Sequence, residues 1–256
     1  MTRDEFIRKQ TALDEGHLSY VVRPGRGPTL ILIPGSFSDC RQWDEVVRLL
    51  GDGPALVIVE LRGHGGSWPP PEDGSIEQFA RDVLRVADEL GLERFYVGGH
   101  SIGGMVALQV GALQPARTLG VISVEGWTHH HAAQEAFGGE MSNTLSPQQN
   151  ARRAASRERV TARWSEEQVT AFAQIWKRWD GSDFLATTDL PVLEVWGDRG
   201  RERPGLDKLH IPERANIEMR WVANASHTLP LERPAEVAEA IGGFIERVEG
   251  GRRRGR

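Results

Sequence analysis

Ser101 is the side chain whose neighbours are hardest to explain without chemistry. It lies in Tyr96 to Met105, YVGGHSIGGM, between a β-type run and a helical one, with glycine at 98, 99, 103 and 104. Glycine costs backbone entropy inside regular structure, so a steric demand must require it. Gly99-His100-Ser101-Ile102-Gly103 fits G-x-S-x-G, in which a strained strand-to-helix turn presents a serine hydroxyl. The residues two away on each side must then be small so as not to collide. The helix that opens there offers N–H groups and a positive dipole end to a developing anion. A hydroxyl is a poor nucleophile at neutral pH, and an imidazole with a pKa of ~6.5 can take its proton and return it to a leaving group. His227 follows a strand-like run, falls in a loop and precedes the last helical pattern, so it is the candidate base.

The rest of the chain must position this pair. Apolar runs at 29–34, 55–61, 94–99, 119–125 and 191–197 read as buried strands, with a further candidate at 217–223. Helical patterns lie between them, at 75–91 with Gly91 closing it, at 103–115 before Pro115, and at 233–249. This alternation predicts an α/β fold around a mostly parallel sheet. Residues 17–23, HLSYVVR, read as an antiparallel edge strand. Between about 127 and 188 the alternation stops and a polar, helix-rich insertion follows, with helix starts at Ser146-Pro147 and at Ser165, the latter a capping-box pattern.

LILIPGS, VELRGHGGS, GGHSIGGMVAL, LPVLEVWGD and ASHTLPLERPAEVAEAIGGFI occur in that order. Together they resemble the α/β-hydrolase superfamily over nearly the whole chain. The resemblance implies a core of 1–127 and 189–249, with 128–188 a helical cap inserted in it. It implies Ser101 as nucleophile, His227 as base, and an oxyanion hole from the backbone N–H groups of Ile102 and Ser36. Phe37, Trp127 and Trp176 are candidate pocket walls. In such folds His64 is commonly structural, and His100 is expected to point away and pack. The triad acid is where this chain departs from the family. The usual acid lies three residues after the strand-ending glycine, and here that position is Gly200. Glu125, ending the preceding strand, and Asp198, two residues early in the usual loop, both remain open, with Glu125 favoured because some family members take their acid from its position.

The implied activity is hydrolysis of a small, fairly apolar carboxylic ester or lactone through an acyl-enzyme. Serine at position 101 argues against dehalogenase and epoxide-hydrolase chemistry, which use aspartate there in this superfamily. Carbon–carbon bond hydrolysis, lyase chemistry, cofactor-free haloperoxidase-like activity and a non-catalytic ligand-binding role stay open.

A net charge of −5 gives no support for a nucleic-acid or anionic-membrane partner. The single cysteine, Cys40, excludes an internal disulfide and fits a reducing compartment. With no apolar leader in the first residues and no ~20-residue apolar run, a cytoplasmic protein is expected, as a monomer or homodimer. No phosphate- or dinucleotide-binding glycine loop occurs, so no cofactor is expected. No metal is expected either, because His129, His130 and His131 are consecutive and adjacent residues on a helix do not share a face. Arg62 and Arg199 read as carboxylate binders or loop ion pairs. The basic stretch 250–256 is expected to be a disordered tail.

Overall fold

A computed structural model describes residues 6–141 and 144–254. Eight strands form one sheet: β1 (Ile7–Ala12), β2 (His17–Arg23), β3 (Thr29–Ile33), β4 (Ala55–Val59), β5 (Phe95–His100), β6 (Thr118–Val124), β7 (Val192–Gly197) and β8 (Ile217–Val222), in the order β1-β2-β4-β3-β5-β6-β7-β8. β2 runs antiparallel to β1 and β4, and β3 to β8 are all parallel to one another. β3, β5, β6 and β7 are buried almost throughout because helices cover both faces.

The two faces follow from alternation along each strand. Ile31 and Ile33 of β3 join one core with Val97, Val121 and the apolar stripe of α2 (Ile76–Glu89). Leu30 and Leu32 point the other way, to Trp43, Tyr96, Ile122 and the buried face of α9 (Pro234–Arg254). Each such leucine or isoleucine contributes roughly 2 kcal/mol by leaving water. The remaining core helices are α1 (Asp44–Leu50) and α3 (Ile102–Leu113), and α3 is buried along most of its length.

Between β6 and β7 lie α4 (Ala132–Phe137), α5 (Pro147–Thr161), α6 (Glu166–Phe172) and α7 (Ser182–Thr187). Ser146 and Ser165 each form a full capping box at the start of α5 and α6. A short α8 (Leu229–Glu232) precedes α9.

Two expectations change. The segment 17–23 is antiparallel, but it is not the edge; β1 lies outside it, with side chains mostly in water. The stretch from 250 is not a disordered tail as far as it is described, because α9 continues to Arg254. Its last turn is arginine-rich, which complements the negative end of the helix dipole, and Arg252 Nη2 donates to Leu119 O at 3.3 Å. No described helix is long and apolar enough to cross a membrane.

Candidate active site

The turn between β5 and α3 puts Ser101 at φ 56° and ψ −124°, a region that L-residues avoid. The glycines make it possible. A Cβ on Gly99 would lie 2.1 Å from Gly103 O, and one on Gly103 would lie 2.3 Å from Ile33 O. Ser101 N donates to Val124 O at 2.9 Å, which ties the turn to the end of β6. One residue on, Glu125 also has positive φ, 53°, and its side chain turns back into the sheet end.

The geometry joins the two candidates from the sequence to a third. Ser101 Oγ lies 2.9 Å from His227 Nε2, and His227 Nδ1 lies 3.2 Å from Glu125 Oε2. Glu125 is fully buried. Asp198 does not serve there: its Oδ1 accepts from Gly200 N at 2.9 Å and Asn224 N at 2.8 Å, closing the loop after β7.

Arg199, from that same loop, binds a carboxylate, one of the two roles its sequence position suggested. Its Nη1 and Nη2 donate to Glu125 Oε1 and Oε2 at 2.5 and 2.7 Å, and Gly197 N donates to Oε1 at 2.7 Å. Both charged side chains are buried, and the Arg199 guanidinium lies 3.7 Å from the Phe137 ring centroid. Burial alone would push the Glu125 carboxyl up; the Arg199 charge and hydrogen bonds, with His227, outweigh it and hold it at about 2. Glu125 is therefore anionic at neutral pH, in a nearly neutral pair.

His100 does more than pack. Gln42 Nε2 and His100 Nδ1 are 3.0 Å apart, and His100 Nε2 and His227 O are 2.7 Å apart. Burial holds the His100 pKa down at about 3, so the ring is neutral. A neutral ring facing a carbonyl oxygen must donate from Nε2, and Nδ1 then accepts from Gln42. Gln42 Oε1 in turn accepts from Gly35 N at 2.7 Å. The relay fixes the His227 backbone to the loop after β3. Ser226, next to His227, donates from N to Glu232 Oε2 at 2.6 Å and also bonds Glu232 through its hydroxyl.

In the loop after β3, Phe37 N donates to His64 Nε2 at 2.9 Å and Ser38 N to Gly35 O at 3.1 Å. His64 Nδ1 faces Arg62 O at 2.9 Å, and burial keeps its ring neutral, with a pKa of about 4. Ser36 and Ile102, the two backbone positions expected to face an oxyanion, both line a cavity of about 410 Å3 that contains Ser101 and His227.

Trp127 and Trp176 line this cavity with Met105 and Met141. The Trp127 ring stands 5.2 Å from that of His227. Phe37 is a correction. It is not among the residues that line the cavity, and its ring packs with His64, Trp164 and Phe172 at ring distances of 5.3 to 6.1 Å. Arg62 forms a loop ion pair, bonding both oxygens of Asp82. Gln42, Met141 and Arg153 escaped sequence reasoning, whereas Arg199, read as a carboxylate binder or loop ion pair, does bind a carboxylate, that of Glu125.

The described residues best able to hold a metal ion are His129, His130 and His131, whose ligand atoms lie within 4.8 Å of one another. They occupy a turn before α4, so the helical argument that would separate them does not apply. Their rings pack at 3.9 to 5.0 Å, and His129 Nδ1 already accepts from His131 N.

A family model described as the alpha/beta hydrolase fold matches residues 28–175. The chain is 35% identical over 112 residues to the dihydrolipoyllysine-residue acetyltransferase component of the acetoin cleaving system of Cupriavidus necator, covering 44% of this chain but only 30% of that protein. It is 21% identical over 244 residues to 3-oxoadipate enol-lactonase 1 of Acinetobacter baylyi, covering 88% and 91% of the two chains. Among solved structures, the enol-lactonase from Burkholderia xenovorans superposes with a TM-score of 0.77 at 19% identity, over 93% of this chain and all of that one.

Proposed function

The chain belongs to the α/β-hydrolase fold family, and from that premise we propose that it is a serine hydrolase cleaving a small ester or lactone through an acyl-enzyme on Ser101. The observation that carries this reading is the continuous line from Ser101 Oγ through His227 to Glu125, at 2.9 and 3.2 Å, with the serine end open to a cavity.

In this mechanism His227 Nε2 takes the Ser101 proton as Oγ attacks the carbonyl carbon. The resulting oxyanion accepts from the N–H groups of Ile102 and Ser36. Glu125 accepts from Nδ1–H, which sets the tautomer and stabilises the imidazolium. Collapse of the tetrahedral intermediate breaks the bond to the leaving alkoxide, which takes the proton from Nε2. Water, deprotonated by the same nitrogen, then attacks the acyl-enzyme and frees the acid and Ser101. For a lactone the leaving oxygen stays on the acyl chain. Met105, Met141, Trp127 and Trp176 suit an apolar stem beside the scissile group.

The test is intact-mass labelling with a fluorophosphonate. One adduct on the wild type, absent from Ser101→Ala and His227→Ala, supports an activated serine. One feature favours a second reading, a ligand-binding protein without turnover: Arg199 already offsets the charge that the imidazolium would use. No adduct on folded wild type would select that alternative.

A further inference from the structure

α5 packs over the Ser101 cavity, and its periodicity decides what it presents there. Residues three or four apart share a helix face, and Gln149, Arg153, Arg157 and Val160 form such a row. Gln149 Nε2 donates to Leu231 O at 3.3 Å, anchoring the start of the row on α8 beside the His227 loop. Toward the other end, the Arg157 guanidinium lies 4.1 Å from the Phe37 ring centroid, and Val160 is buried. Arg153 stands between these anchored positions and lines the cavity.

Arg153 is also the only Asp, Glu, Lys or Arg side chain in that lining among the described residues. One of its contacts is from Nη2 to Asn150 Oδ1, at 3.2 Å. The surrounding charge has the same sign. Residues 147–163 carry Arg152, Arg153, Arg157, Arg159 and Arg163 against Glu158 alone, a local +4 in a chain of net −5. Arg159 is shared with Asp39 at 3.5 Å, and Arg163 lies 3.7 Å from the Trp68 ring centroid. A concentration of positive charge beside a cleft raises the local concentration of anions there. A guanidinium fork matches the two oxygens of a carboxylate.

We infer that the substrate of the Ser101 site is an anionic ester or lactone, bearing a carboxylate that Arg153 engages while the scissile carbonyl meets Ser101. This names the substrate class of the proposed serine hydrolase and rests on that reading. The serines, tryptophans and methionines of the wall accept the ester and its stem, and Arg153 selects for the charge at the far end.

The experiment uses a matched pair of esters, p-nitrophenyl hemiglutarate and p-nitrophenyl pentanoate, which differ in a terminal carboxylate against a methyl group. Binding to the full-length Ser101→Ala protein is followed by quenching of tryptophan fluorescence, since Trp127 and Trp176 line the cavity. The readout is the ratio of the two dissociation constants, which cancels any general loosening of the fold. The charged ester should bind about tenfold tighter, the size of one charge-assisted contact. Adding Arg153→Gln should bring the ratio to about one, and Arg153→Glu should reverse it. Equal affinities in the parent, or a preference that survives Arg153→Gln, would overturn the inference. The underlying mechanism fails separately. A fluorophosphonate adduct with no charge preference refutes the carboxylate site alone. A charge preference without any adduct refutes the acyl-enzyme and leaves the anion site in place.

Discussion

Removing the Arg199 guanidinium while leaving Glu125 in place would perturb the most unusual contact of the site. Burial pushes the Glu125 carboxyl up, and Arg199, helped by His227, holds it at about 2 against an ordinary 4.5. That difference corresponds to roughly 3 kcal/mol in favour of the charged form. Because the folded value lies below the unfolded one, this stability is complete above pH ~4.5 and is lost as pH falls toward about 2. Arg199→Met keeps much of the stem that packs on Phe137 but deletes the cation. Glu125 is then left buried with only Gly197 N and His227 as partners. Stranding a buried charge costs about 3–5 kcal/mol, or roughly 10 °C in Tm for a chain of this size. Urea unfolding at pH 7.5 measures the loss. Arg199→Met combined with Glu125→Gln should regain most of the stability and none of the activity, since no buried charge remains and the base has lost its acceptor. A single variant within about 1 kcal/mol of wild type would refute the reasoning, because the pair would then not stabilise the fold.

Glu125→Gln should lower kcat by about 10³-fold or more, because its amide cannot hold the required tautomer; Asp198→Asn, which keeps the oxygen that caps Gly200 and Asn224, should stay within about threefold. Steady-state kinetics on one ester separates the two. Gly99→Ala places a methyl group 2.1 Å from Gly103 O, backbone that cannot step aside, so thermal unfolding should show a loss of about 3 kcal/mol or more. Stability itself should peak near pH 6.5. Burial holds His64 and His100 at about 4 and about 3, so the unfolded chain binds their protons first and stability falls below ~6.5; burial raises Glu194 to about 8, so the folded chain keeps a proton the unfolded one has lost and stability also falls as pH rises from ~6.5 to about 8. In urea titrations the alkaline loss, roughly 1.4 kcal/mol per pH unit, should vanish in Glu194→Gln.

What was legible in the sequence was what steric necessity writes locally. The elbow could be read because Gly99 and Gly103 leave no room for a Cβ, and α5 and α6 because their capping boxes are four-residue signals. β1 could not be read that way. As an exposed edge strand it has no buried face, and so no alternation to detect. Phe37 was misplaced for a different reason: its ring packs with His64, Trp164 and Phe172, partners far away in sequence that the residue type does not announce.

The acid shows where sequence reasoning stops. Glu125 and Asp198 are both carboxylates at strand ends, and spacing alone does not choose between them. The choice is made by two left-handed residues, Glu125 at φ 53° and Arg199 at φ 56°. The first turns Glu125 into the site, and the second accompanies the inward turn of Arg199, while Asp198 stays behind to close its loop. Relative to the pattern that the family resemblance implies, the β7 loop contributes a cation in place of an anion, and the anion comes from β6. The two changes need each other. Glu125 without Arg199 would be a costly buried charge held by few partners, and Arg199 without Glu125 would be a costlier one. With Gly200 at the usual acid position, the pair forms one inseparable unit, so an attempt to restore the usual arrangement by Gly200→Asp alone should add a third charge to a buried pair and lower activity.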